Sequence, residues 1–273
     1  MILDEPYNSW LVKNVGENID ENTRFVVKVD AVTSEGSVPL SVDFDLAWFI
    51  LLHSTDTEQI KLDVALALLK KPGYLAQFHA TLLIHGAKRL LAEFLLFNPV
   101  ICEGLKGYID FTLLNVPIDF ISHALLVKRS NDLVETIEVV NQRLQTVNLV
   151  LDTGFKLTGD VPPKSVGVAV HKVLLMDIGD QKFTLTKRLL DAGFQLFSEI
   201  PAQNNEVAMM LIDNRSNNDC IEMIKANAPI FKTLVFQVAG STGSNIADYY
   251  YWVREDMKAV DFMRSTLNLD ITP

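Results

Sequence analysis

The sequence predicts a mainly α protein: an α-solenoid of stacked helix pairs with a small N-terminal β-hairpin segment. Three observations predict it. Residues 150–158, VLDTGFKLT, and 189–197, LLDAGFQLF, carry nearly one pattern 39 positions apart. From about residue 44, short apolar-periodic stretches of helical length (~10–14 residues) alternate with polar or Pro/Gly punctuation. Ahead of them, two segments alternate with period two around a glycine.

The β segment comes first. In RFVVKVDAV, Phe25, Val27, Val29 and Ala31 fall on one face, and in SVPLSVDFD, Val38, Leu40, Val42 and Phe44 do the same. Gly36, in the TSEGS between them, is free to take the positive φ of a tight turn. Pro39 marks the second segment as an edge strand, because a proline cannot donate to a ladder. Residues 1–22 carry little pattern and read as a loosely packed arm. The expected division is therefore an acidic β-containing segment, 1–45, and a helical repeat domain, 46–273.

Helices follow in order: FDLAWFILLH, EQIKLDVALALLKK, AQFHATLLIH, AKRLLAEFLLF, ISHALLVKR, LVETIEVVNQRLQTVNLVLD, VGVAVHKVLLM, FTLTKRLLDA, NEVAMMLID, DCIEMIKA and IADYYYWVREDMKAV. Aligning Gly154 with Gly193 also aligns Asp152 with Asp191, Phe155 with Phe194, Leu157 with Leu196, and Pro162 with Pro201. Each copy reads as an amphipathic helix closed by a left-handed residue, which glycine and asparagine adopt at least cost. A proline then stands where the next helix starts and no N–H is needed. Asn227 and Asn115 occupy the same place in MIKANAPIF and FTLLNVPIDF, and Gly86 in LLIHGAKRL. Caps at 115, 154, 193 and 227 are 39, 39 and 34 apart, the signature of stacked helix pairs.

LLIHGAKRL, VLDTGFKLT, LLDAGFQLF and MIKANAPIF resemble the ending of the second helix in ankyrin repeats, a leucine pair followed two residues later by glycine and alanine. The resemblance covers residues 75–260. It implies recognition of another protein. A stack of helix pairs presents an extended surface with no single catalytic pocket, and no metal or cofactor is expected. The family's Thr-Pro-Leu-His signature is absent in intact form. His171 in VAVHKVL and His123 in ISHALLV are its faint echoes.

Composition narrows the function classes. The 273 residues are 49% hydrophobic, with a mean hydropathy of +0.20, which fits a packed core and excludes a disordered chain. No apolar run reaches the ~18–20 residues of a membrane span. The first residues, MILDEPYNSW, lack the bases and apolar core of a signal peptide. Cys102 and Cys220 stand far apart in apolar surroundings and read as buried thiols of a reducing compartment. A cytoplasmic protein without a membrane segment is the expectation.

The net charge is −10, with nine acids against three bases in residues 1–45. No basic stripe is available to release counterions, so direct nucleic-acid binding is not expected. Such charge commonly serves solubility. Its sharper readings are a protein partner with a basic surface, or an acidic inhibitor that mimics nucleic acid through residues such as Asp20, Glu21, Asp43 and Asp45.

Catalytic chemistry finds little support. His79 and His85 are six apart, not the i, i+4 of a helical zinc pair. His53, His123 and His171 lack ligand spacing, and no G-x-S-x-G elbow occurs. An enzyme would need a site between the β segment and the first helices, using His53 and Asp56. The small-residue loop VAGSTGSNIAD, 238–248, lacks the Lys-Ser/Thr of a P-loop and reads as a connection, with Ser244 or Asn245 capping the next helix. In DYYYWVRED, the aromatics 249–252 read as a capping helix with Tyr250 or Tyr251 left outside. The expected contact residues are Lys156, Asp160, Gln195 and Glu199, just past the caps, and Tyr250.

Overall fold

Alternation in residues 24–45 becomes a hairpin. The computed structural model describes residues 22–33, 36–114, 121, 137–157, 163–239 and 243–272. Strand β1 (Arg24–Thr33) runs antiparallel to β2 (Gly36–Asp45). Phe25 stands opposite Phe44, Val27 opposite Val42, Val29 opposite Leu40 and Ala31 opposite Val38. The two period-two stripes therefore meet residue for residue, as their spacing requires. Pro39 lies in a two-stranded sheet, where every strand has an edge on which a missing N–H is tolerated.

The chain divides into two compact units, Met1–Val161 and Pro162–Pro273. In the first unit the hairpin packs on helix α1 (Leu46–His53) and on α3 (Tyr74–Leu82). Helix α2 (Glu58–Leu69) packs on α1 and on α5 (Pro99–Leu105); α4 (His85–Leu96) and α5 pack on α6 (Ile137–Asp152). A 3-10 turn covers Phe111–Leu114. Helix α1 is apolar nearly all round because it is buried nearly all round: Leu46, Ala47, Trp48, Ile50 and Leu51 are core residues. The Trp48 ring stacks on Phe78 at 4.6 Å, and its N–H donates to the Phe78 carbonyl at 3.2 Å.

Gly86 does not end a helix, contrary to expectation; it lies in the first turn of α4. The stop comes earlier, at Leu82, where the amides of Leu83 and Ile84 bond back to Ala80 and Thr81. The Ile84 carbonyl then accepts from Ala87 and Lys88 and restarts the ladder. Two residues, Leu83 and Ile84, join the helices without a left-handed glycine. Helix α5 is one the sequence pattern does not single out, because seven residues are too few for periodicity to register.

Gly104 of α5 faces α2 so closely that a Cβ there would lie 2.3 Å from Leu62 Cδ2 and 2.9 Å from its Cγ. Leu62 is itself buried. Gly104→Ala is therefore expected to destabilise the first unit by ~1–3 kcal/mol through overpacking, despite alanine's better helix propensity. A denaturant titration with an unchanged or raised midpoint would show that α5 does not approach α2 as described.

The second unit is helical throughout its described elements: α7 (Pro163–Leu174), α8 (Gln181–Asp191), α9 (Pro201–Asp213), α10 (Asn218–Ala226), α11 (Ala228–Phe231), α12 (Ile246–Trp252) and α13 (Met257–Leu267). Helix α7 packs on α8, α9 on α10 and α12 on α13; α7 also meets α9, and α8 meets α10. Among the described residues, no helix is long and apolar enough to cross a membrane.

Two expectations fail here. The stretch 246–260 is two helices, not one. Glu255 adopts φ 52, and Asp256 starts α13 by accepting the Ala259 amide at 3.0 Å while holding Arg215 at 3.0 and 3.3 Å. A partner 41 residues away anchors the break, so no local pattern announces it. Asn227 is not left-handed: φ is −111, and its side chain instead donates to the Met223 carbonyl at 2.8 Å. The asparagine that does take the left-handed conformation is Asn268, with φ 50 and ψ 50, closing α13. Asn115, His123 and Pro162 lie outside the described residues.

Candidate functional site

The two aligned glycines have the same job. Gly154 (φ 80) and Gly193 (φ 100) follow the ends of α6 and α8 in the left-handed region. The Gly154 amide donates to Leu151 O at 3.1 Å and the Gly193 amide to Leu190 O at 3.0 Å. At the second cap, Phe194 N also reaches Leu189 O at 3.0 Å, which completes a Schellman motif. The phenylalanines that follow, Phe155 and Phe194, are both buried. Burying this residue turns the chain outward next: Lys156 is exposed in the first unit, and Gln195 and Glu199 are exposed in the second. Asp160 lies outside the described residues.

Tyr250 is not on the surface. It is 0% exposed, and its hydroxyl donates to Asp213 Oδ1 at 2.6 Å with the Met209 carbonyl oxygen 3.0 Å away. Arg254 holds the other Asp213 oxygen at 3.2 Å. Burial, then the Asp213 hydrogen bond, pushes the Tyr250 hydroxyl far above its usual titration range. Its role is to tie α12 to α9. The outward aromatic of that helix is Trp252, at 61% exposure, with Tyr251 edge-on to it at 4.5 Å.

The acidic surface expected near residue 45 is reduced in the same way. Asp45 is 0% exposed. Its Oδ1 accepts from the amides of Ala47 (2.9 Å) and Trp48 (3.2 Å) and from the Tyr74 hydroxyl (3.0 Å); its Oδ2 accepts from the Thr81 hydroxyl at 2.7 Å. A carboxylate so enclosed makes no direct contact with a partner. Asp43 is partnered by Arg24 at 3.1 Å. Asp20 and Glu21 lie outside the described residues.

The histidines divide by neighbour. His79 Nε2 lies 2.5 Å from the Tyr108 carbonyl, and His171 Nε2 lies 2.8 Å from Glu206 of α9. His53 is exposed, tilts over Phe49 at 5.0 Å, and is held below its usual range by partial burial and then by the Lys61 charge. A carboxylate partner would move it the other way. Asp56, proposed beside it, accepts instead from the Ser54 hydroxyl at 2.7 Å.

Both cysteines are free and buried, and burial pushes each thiol up to about 12, with Glu103 adding to this at Cys102 and Asp219 at Cys220. The folded state thus keeps thiol protons that the unfolded chain releases near pH ~8.5. Stability from these groups is intact below that pH and is lost as pH rises towards 12, by up to about 1.4 kcal/mol per pH unit for each thiol. Unfolding free energies measured at pH 8 and 10 should show the fall, with a smaller one in Cys102→Ala. A disulfide reagent at pH 8 should label neither thiol before unfolding.

The small-residue loop is a connection. Phe236 and Ser244 pair across it, and Asn245 caps α12 in a reciprocal box with Asp248. Asp248 also accepts from the Thr272 amide and hydroxyl, at 2.6 and 2.8 Å, so the box holds the segment 270–272 against α12. Gly240 lies outside the described residues.

A concavity that no sequence motif marks opens beside the Gly154 cap in the first unit. It has a volume of about 250 Å³. Its floor is Ile109, Phe111 and Phe155, all buried; its rim is Lys106, Asp110, Thr112 and Thr153. Asp110 Oδ1 accepts from the Thr112 amide at 3.0 Å and hydroxyl at 2.6 Å. The Thr153 hydroxyl donates to the Val150 carbonyl at 2.6 Å, and the Lys106 ammonium bonds to Glu103. The two halves of the cleft are about 40 positions apart in the chain.

No family model, curated protein or solved structure matches this chain.

Proposed function

We propose that this chain is a non-enzymatic protein-binding module, an adaptor or inhibitor, whose helices stack as an ankyrin-like solenoid and whose connections after the helix caps contact the partner. The observations that support this reading are the layered packing of the second unit and a glycine cap found once in each unit. First helix meets first helix (α7 and α9), second meets second (α8 and α10), and one glycine cap recurs 39 residues from its predecessor. A stack of this kind grows by repetition and exposes its connections in register, which suits an extended contact better than an enclosed reaction site. The partner proposed is a protein with a basic surface, in keeping with the net charge of −10.

Gln195 and Glu199 are the contacts to test, because both are exposed past the Gly193 cap. The intact chain is used to capture its partner from extract of its own cells, and the purified pair is then titrated. A Gln195→Lys/Glu199→Lys variant is expected to bind at least about tenfold more weakly, whereas Lys258→Ala, an exposed change on α13, binds normally. Equal affinity for all three chains would remove the connections from the interface and the reading with them.

A further inference from the structure

We propose that the turn between α12 and α13 is a self-association surface, which binds the same turn of a second copy of this chain across a two-fold axis. The inference goes beyond the reading above. This turn joins the two helices of one pair, whereas the proposed partner contacts lie on connections between pairs. Apolar exposure marks it. Trp252, Val253 and Met257 are 61%, 48% and 45% exposed, three large apolar side chains within six residues. Aromatic residues and methionine are the types enriched where proteins touch.

The turn is also held ready. Glu255 takes φ 52, which a residue with a side chain adopts only where its surroundings impose it. Two crossed ion pairs impose it here. Asp213 holds Arg254 at 3.2 Å and Arg215 holds Asp256 at 3.0 Å, so the acid and base at the end of α9 meet the base and acid of this turn. The Val253 and Asp256 amides donate to the Tyr249 and Tyr250 carbonyls at 2.9 and 3.0 Å. Tyr251 lies edge-on to Trp252 at 4.5 Å. A surface fixed in this way loses little freedom on docking.

Charge selects the occupant. The chain carries −10, so two copies repel over most approaches. At this turn the two ion pairs cancel four charges, and the two left, Glu255 and Lys258, are one of each sign. Two acidic chains therefore meet here without local repulsion, whereas a partner with a basic surface finds no net charge to bind. An apolar, neutral patch complements itself, which is what a two-fold contact requires. Its small size makes the dimer weak, with a Kd on the order of 10–100 μM.

Sedimentation equilibrium of the full chain between ~1 and ~500 μM brackets that affinity and tests the proposal. The average mass should rise from 30.6 kDa towards twice that value. Trp252→Ser should weaken the dimer at least about tenfold. Val253→Glu and Val253→Lys should each stay monomeric, since like charges then face each other across the axis. An equimolar mixture of the two should dimerise again, which also shows that both variants fold. A single-chain mass at every concentration, a dimer that survives Trp252→Ser, or a mixture that stays monomeric would each overturn the proposal. So would a monomer whose Trp252 emission, read as the difference from Trp252→Ser, shifts to the blue with phosphatidylcholine vesicles or with the captured partner; the turn would then belong to a membrane or to another protein. Partner affinity at Gln195 and Glu199 is read in its own titration, so either result can fail alone.

Discussion

Asp45→Ala is expected to lower the stability of the first unit by about 3 kcal/mol. The carboxylate is the N-cap of α1, and loss of a cap costs ~1 kcal/mol. Its burial adds the larger part. Tyr74 and Thr81, brought from 29 and 36 positions away, direct their hydroxyls onto it at 3.0 and 2.7 Å. Alanine would strip both of this acceptor inside the core, at ~1–3 kcal/mol for each group left wanting. Asp45→Asn keeps an oxygen at the cap and should recover part of the loss. Denaturant titration read by the fluorescence of buried Trp48, which sits on the capped helix, reports on this unit. A midpoint shift below that of an ordinary surface substitution would show that Asp45 is not the hub described.

Tyr250→Phe is expected to cost the second unit about 2 kcal/mol at neutral pH, since it deletes the hydroxyl that donates to Asp213 and leaves a carboxylate oxygen short of its donor. The pH dependence tells this apart from a packing defect. With its titration raised by burial and by Asp213, folded Tyr250 stays protonated where an unfolded tyrosine ionises, near pH ~10. Its stabilisation is complete below that value and is lost as pH rises above it. The gap between the parent protein and Tyr250→Phe should therefore narrow from pH 8 to pH 11, measured by urea melts at each pH. A constant gap would mean that the hydroxyl's environment is not the one described. Because the ring is wholly buried, the variant should bind a partner normally wherever it remains folded.

Where sequence reading succeeded, the determinant was short in range. The hairpin register follows from two four-residue alternations. The caps at Gly154 and Gly193 follow from a conformation that side-chain-bearing residues avoid, so glycine at the end of an apolar stripe is informative there. Gly86 shows the limit of that logic. The same apolar stripe precedes it, yet Leu83 and Ile84 had already closed the helix through 3-10 bonds. Asn227 shows it again, with its side chain capping Met223 O while its backbone stays out of the left-handed region. The cleft was invisible for a different reason. Residues 106–112 and 153–155 are each unremarkable segments, and only their meeting makes a cavity.

Periodicity, turn chemistry and charge balance depend on neighbours within a few residues, and for that reason the amino-acid order alone settled the β-hairpin, the helical character of the remainder and the recurring glycine cap. The fate of polar side chains was decided at longer range. Asp45 and Tyr250 would pass as surface residues in any list, and they became core groups because folding delivered Thr81 and Asp213, 36 and 37 positions distant, as partners that offset the cost of leaving water. The break before Asp256 depends likewise on Arg215, 41 positions away. Desolvation is a property of the whole packed unit, and no window on the chain contains it.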